Sequence, residues 1–297
     1  MNSEKIIFLA ILTLIIIIPT ANAQVSIAEK AEQKTVGITI NSIGEVHVKQ
    51  MAKLSSVPTQ IELVNGTISN LKITNEVGEE KQHGMVGENS ILILPSNEDT
   101  IIEYDLKDAL FFKDNMWTWS FRYLEDTSFI LPKEVDLIFV NDKPVYLDKM
   151  KGILCHGCQM ILKYSIDEPR IIKNVKWEDR EFTVEIRSLA EINQFGFDQS
   201  SKNISFDVNG ENQFVTVIIP SELLWGPYDV FLGDVKIQSY EYVNNGTHVW
   251  VSMKPDNSGS VSIIGTTVVP EFPLITPLTV GFLMIVILPI IRKVNLH

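Results

Sequence analysis

Met116-Trp117-Thr118-Trp119-Ser120-Phe121-Arg122-Tyr123-Leu124 sets four aromatic rings two residues apart, with Thr118, Ser120 and Arg122 between them. A two-residue period sends side chains to alternate faces of a strand, whereas a helix would scatter these rings around its axis. The stretch therefore reads as a β-strand with Trp117, Trp119, Phe121 and Tyr123 on one face. Such a face either covers a core or forms an aromatic strip for a sugar or peptide, and the core is the simpler use.

The same period runs outward in both directions. Residues 36–40 and 45–49 alternate about Asn41-Ser42-Ile43-Gly44, a hairpin signature. Residues 60–64 and 70–75 flank Asn65-Gly66, the strongest short turn signal for paired strands. Strands at 91–94, 100–106, 136–140, 145–147 and 159–166 follow, with a turn at Asn141-Asp142-Lys143-Pro144. A polar junction, Asp167-Glu168-Pro169-Arg170, precedes a fresh series at 174–177, 181–187, 204–208, 214–219, 228–232, 235–242, 248–253 and 260–264. Asn209-Gly210 and Asn244-Asn245-Gly246 are hairpin-type turns within it. Only 106–113 and 188–193 have room for a helical turn. Short strands at this spacing predict an all-β chain of two antiparallel, Ig-like β-sandwich domains, 24–167 and 168–268.

The ends carry a different chemistry. Lys5, an apolar core at 6–18 and Ala21-Asn22-Ala23 before Gln24 make residues 1–23 a secretory signal peptide. Residues 274–291 are apolar throughout and are followed by Arg292-Lys293. At about 1.5 Å per residue that run spans roughly 27 Å, enough for a transmembrane helix. The basic pair marks the cytoplasmic side. The expected topology is an extracytoplasmic body at the cell surface and a cytoplasmic C-terminus, unless the tail is processed. The chain has 25 Lys+Arg against 37 Asp+Glu, and the excess of acid lies in the body. An acidic surface repels nucleic acid, which is excluded as a partner, and keeps an exposed protein soluble.

Pro270-Glu271-Phe272-Pro273, the apolar run and the basic end resemble the sorting tails of secreted archaeal surface proteins, the PEF-type signals read by archaeosortases. In ammonia-oxidising archaea the usual form is Pro-Glu-Phe-Gly, whereas Pro273 stands in the fourth position here. The resemblance implies recognition near 270–273 (a tail of 269–297), removal of the helix and attachment to a lipid. A second, smaller resemblance, to the last domain of many archaeal tail-bearing proteins, lies in Pro220-Ser221-Glu222-Leu223-Leu224-Trp225-Gly226-Pro227-Tyr228 with Gly233-Asp234 beyond it.

One cluster is chemically loaded: Cys155-His156-Gly157-Cys158, with Met160 beyond. In an oxidising compartment the spacing suits a small disulfide. Two thiolates with His156 and Met160 also suit copper or zinc. Dithiol exchange is the third use, although the pair lies between strands and lacks the helix N-terminus that lowers a thiol pKa. His47, His83 and His248 are isolated, with surface or turn positions expected. Asn65, Asn203 and Asn245 each open an Asn-x-Ser/Thr sequon, and the first and last fall on predicted turns. Neither a Gly-x-Ser-x-Gly elbow nor His-Glu-x-x-His occurs. The expected role is a non-catalytic envelope or interaction module, held by its C-terminal helix in the membrane and meeting envelope proteins or glycans. The alternative is an extracytoplasmic copper- or zinc-binding protein using Cys155 and Cys158.

Overall fold

The computed structural model describes residues 28–177 and 179–266. The leader, the Pro270–Pro273 motif and the 274–291 run lie outside them. Every regular element among the described residues is a strand, and none of these residues forms a helix long and apolar enough to cross a membrane. The described residues are all-β, of sandwich type.

The strands form five sheets. One takes Glu29–Lys30, Thr59–Glu62, Ser90–Ile93 and His83–Val86 in spatial order. A six-stranded sheet runs Gly152–Cys155, Thr127–Ile130, Gln33–Ile40, Val46–Ala52, Thr100–Lys107, Thr67–Thr74. A five-stranded sheet runs Lys143–Tyr146, Leu137–Val140, Gln159–Tyr164, Met116–Arg122, Phe111–Lys113. The last two, of five strands each, are Arg170–Trp177, Arg180–Ser188, Val215–Pro220, His248–Met253, Ser239–Asn244 and Glu191–Asp198, Asn203–Asn209, Gly259–Ile264, Asp229–Leu232, Val235–Lys236. By compactness the described residues divide into two units, 28–34, 50–63 and 72–102 in one, and 35–49, 64–71 and 103–266 in the other.

In the smaller unit, alternation buries Ile61, Ile91 and Ile93 on one face of the four-stranded sheet. Its polar anchor is Asp99, only 3% exposed, which is ion-paired with Lys34 and accepts the Leu54 N–H at 3.0 Å. Those partners, the Lys34 hydrogen bond first, hold the Asp99 carboxyl below the usual carboxylate range despite its burial.

In the larger unit the aromatic strand takes the core position its period predicts. Trp119, Phe121 and Tyr123 are buried, and Trp119 and Phe121 meet Phe129 of the six-stranded sheet at centroid distances of 5.9 and 4.9 Å, edge to face. Trp117 is half-buried and lies so close over Gly44 (φ 81°) that a Cβ there would be 2.3 Å from its ring. The two sheets of residues 170–264 face each other across one core. Val184, Ile186, Val217 and Val251 of one and Ile204, Phe206, Val261 and Ile263 of the other are buried together.

The turn chemistry is borne out in some places and overturned in others. Asn141 and Asp142 both have positive φ, 51° and 62°, between paired Val140 and Lys143, the geometry that matches strand twist in a two-residue hairpin. Asn244-Asn245-Gly246 joins paired strands as expected. Asn65-Gly66 does not, because the strands it links lie in different sheets: Thr59–Glu62 pairs with Ser90–Ile93, while Thr67–Thr74 is an edge of the six-stranded sheet. Asn209-Gly210 is likewise a crossing between the two sheets of residues 170–264. An Asn-Gly pair supplies a sharp reversal in either setting, and the partner strand is chosen by which face must be buried. The helical turns allowed at 106–113 and 188–193 are absent. Asp108 (φ 59°) and a second two-residue hairpin at Asp114-Asn115 (φ 50° and 58°) turn the chain instead, and Glu191–Asp198 is a strand with a bulge at Gln194.

The strands before and after Asp167-Glu168-Pro169-Arg170 are tied within this unit. Phe139 stacks on Phe214 with centroids 3.6 Å apart and planes 9° apart. Asp142 accepts Lys163 and Lys254 at 2.7 and 2.9 Å, and both ammonium groups lie over the Phe214 ring. Arg187, 7% exposed, reaches Asp136 at 2.7 Å and Glu168 at 3.1 Å.

Candidate functional site

A cleft of about 540 Å³ lies on the six-stranded sheet, lined by the hairpin at 41–45 and by His47, Ser69, Asn70, Asp105 and Asp108. Its volume is in the range of small-ligand sites. Val46–Ala52 and Thr100–Lys107 alternate so that Val46, Val48, Tyr104 and Leu106 are buried, which turns His47 and Asp105 to solvent. Neighbouring strands then bring His47 Nδ1 to 2.9 Å from Asp105 Oδ1. From the edge strand, Asn70 Nδ2 donates to Asp105 Oδ2 at 2.7 Å and Ser69 Oγ to the Asp105 carbonyl at 3.4 Å. Asn70 has φ 53° in mid-strand, a conformation L-residues avoid and asparagine tolerates best. With the Asn70 amide first and the His47 imidazole second, the Asp105 carboxyl is held below the usual range. It is a fixed acceptor with both oxygens engaged.

Tyr104 is fully buried, its hydroxyl accepts the Val64 N–H at 2.8 Å, and burial pushes its phenol well above the ordinary value. On the hairpin side Asn41 Oδ1 accepts the Ile43 and Glu45 N–H groups at 3.1 and 2.9 Å, and its Nδ2 donates to Glu45 at 2.6 Å. The cleft thus joins fixed carboxylate, amide, imidazole and hydroxyl groups beside exposed Ile43, a lining that suits a polar, hydroxyl-bearing or cationic ligand. His47 had read as isolated, and Asp105 carried no signal at all. Alternation marks both as outward-facing, but only the strand order makes them neighbours.

The cysteine cluster sits at a corner. Cys155 ends a strand of the six-stranded sheet, and Cys158 precedes Gln159–Tyr164 of the five-stranded one. The two are disulfide-bonded, with Cα atoms 5.8 Å apart. Gly157 (φ 51°) passes so close to Leu124 that a Cβ would lie 2.7 Å from its carbonyl oxygen, and the Tyr123 N–H donates to Cys158 O at 3.1 Å. His156 turns outward to Asp126 at 3.1 Å. Met160 is buried in the core, in register with Phe121. The four residues proposed as a copper or zinc set therefore do not converge, and among the described residues no group of three or more His, Cys, Asp or Glu is placed to hold a metal. A bond closing so small a loop contributes about 2 kcal/mol by chain entropy. Cys155→Ser is expected to lower stability by about that amount, and denaturant unfolding with and without reductant checks it, since reductant should leave the variant unchanged.

Of the sequon asparagines, Asn65 and Asn245 are exposed and Asn203 is half-buried inside a strand paired on both sides. Asn245 Oδ1 accepts the Thr247 and His248 N–H groups at 3.0 and 2.8 Å, so its side chain shapes the turn.

The chain matches no family model and no curated protein. Among solved structures it is similar to the crystal structure of an aminopeptidase N family protein from Idiomarina loihiensis, at 8% identity and a TM-score of 0.34. The match covers 50% of this chain and 32% of that one.

Proposed function

We propose that this protein is an exported cell-surface module of two Ig-like sandwiches, 24–167 and 168–268, held at the membrane by its 274–291 helix or by a lipid after processing at Pro270-Glu271-Phe272-Pro273. Its role is non-catalytic: it holds or presents, and its partners are envelope proteins or glycans. The observation that carries this reading is the pairing of an all-strand body, cross-tied at Arg187 and Phe139, with an apolar segment at each end of the sequence. The 41–108 cleft supports it, because its carboxylate is fixed between two donors as an acceptor for a ligand's hydroxyl or ammonium groups.

Truncation after Val269 tests the anchor. The full chain is expected in the membrane fraction of the producing cell, with its body open to external protease, and the truncated chain in the medium. A truncated body that stays on the membrane contradicts the tail as sole anchor. Intact mass of the membrane-extracted protein then separates its two forms: a chain ending at His297 is a plain helix anchor, and one ending near Pro273 with added lipid is the processed form.

A further inference from the structure

The loop from Ser221 to Tyr228 is anchored inward and shows one ring outward. Leu223 and Leu224 are fully buried, and their N–H groups both donate to Pro220 O, at 2.9 and 3.2 Å. Tyr228 Oη donates to Leu224 O at 2.8 Å. Between these anchors Trp225 stands 54% exposed. The last described residues are fastened to the same loop. Thr266 N donates to Trp225 O at 3.0 Å and Thr266 Oγ1 to Gly226 O at 2.7 Å, while Lys202 Nζ donates to Thr266 O at 2.8 Å. Gly265 passes so close that a Cβ there would meet Leu224 Cδ1 at 2.5 Å. The Asn244–His248 hairpin lies at this end too, through Ser221 N to Thr247 O at 2.8 Å.

The described residues therefore end beside Trp225. From Thr266 to Leu274, where the apolar run begins, eight residue steps reach at most about 29 Å even when fully extended.

We propose that this end of the body is its bilayer-facing surface, with Trp225 seated among the lipid headgroups. The inference rests on the tail anchor proposed above. Tryptophan suits that depth because its ring is apolar and its N–H still finds a polar partner. One ring is a weak anchor for a free protein, but a body tethered by so short a segment is already at high effective concentration over the bilayer. Its insertion has only to set orientation. Seating Trp225 would stand the 170–264 sheets on the membrane.

The full chain, reconstituted into phosphatidylcholine vesicles, tests this through tryptophan fluorescence quenched by lipids brominated near the headgroup, with flotation of the same vesicles. The chain has five tryptophans, so Trp225 is read as the difference between wild type and Trp225→Phe. Both proteins are expected to float, and the quenched component of the wild type is expected to disappear in the variant. Floating proteins with the same quenching overturn the seating of Trp225 and leave the anchor intact. A wild type that does not float overturns both.

Discussion

Arg187→Ala is expected to destabilise the protein by about 3–5 kcal/mol, because it removes the buried guanidinium that bonds to both Asp136 and Glu168 and leaves the nearly buried Glu168 without its ion-pair partner. Arg187 is 7% exposed and touches both Asp136 at 2.7 Å and Glu168 at 3.1 Å, whereas Arg170 is more than half exposed and reaches Asp136 at 3.2 Å. At the 2–4 °C per kcal/mol of a chain this size, the melting temperature should fall by on the order of 10 °C. Glu168→Gln should behave differently: a neutral amide still accepts from the guanidinium, and Asp136 still balances its charge. Little change or a small gain is expected at neutral pH.

The two carboxyls also pull the pH dependence in opposite directions. For Asp136, burial raises the pKa but is outweighed by the Arg187 hydrogen bond and by the charges of Arg187, Arg170 and Lys151, so the folded pKa is lowered. Its contribution is present above the unfolded value of 3.8 and is lost as pH falls through the folded one. For Glu168, burial dominates, Asp136 adds repulsion, and the attraction of Arg187 and Arg170 does not compensate, so the folded pKa is raised. Its contribution is present below 4.5 and is lost as pH rises through the folded value. Arg187 and the Tyr242 phenol, which burial raises, do not titrate in that window. Glu168→Gln should therefore remove the alkaline-going loss above pH 4.5 while leaving the acid-going loss from Asp136, as chemical denaturation across pH would report. A profile unchanged by the substitution would move the balance to other carboxyls.

This cluster lies where sequence reading reached its limit. Asp167-Glu168-Pro169-Arg170 was legible as a junction because proline and charge interrupt two series of alternating strands. The sequence presents those residues only as a polar junction, yet the Glu168 side chain is 9% exposed and paired with Arg187. Alternation reports which face of a strand is wet, and a buried charge looks identical to an exposed one until its partner strand is known. The cleft was hidden for the same reason: His47, Asn70 and Asp105 come from three strands whose adjacency depends on the order of the six-stranded sheet. Asn-Gly turns were recognised as reversals but not as crossings between sheets. The disulfide was legible because its partners are three residues apart, so local geometry alone decides it. What period and turn chemistry can state is local, and pairing between distant strands is not.

Where period suffices, the energetic consequence can be stated as well. Phe121→Ala is expected to cost about 3–5 kcal/mol, the range for removing a buried aromatic ring. Phe121 is 1% exposed and packs edge to face on Trp119 at 5.3 Å and on Phe129 at 4.9 Å, so its loss opens a cavity bounded by two rings held in different sheets. Rings on paired strands cannot close that gap without shifting the backbone, which keeps the expected value near the upper end. Edge-to-face pairs add about 0.5–1.5 kcal/mol beyond burial. A double-mutant cycle with Phe129→Ala should therefore return a coupling of about that size, with the double variant less destabilised than the sum of the singles. Denaturant midpoints measured for the four proteins decide it. Strict additivity would mean that the two rings occupy the core independently, and that this strand is held by its own sheet rather than by the face its sequence presents.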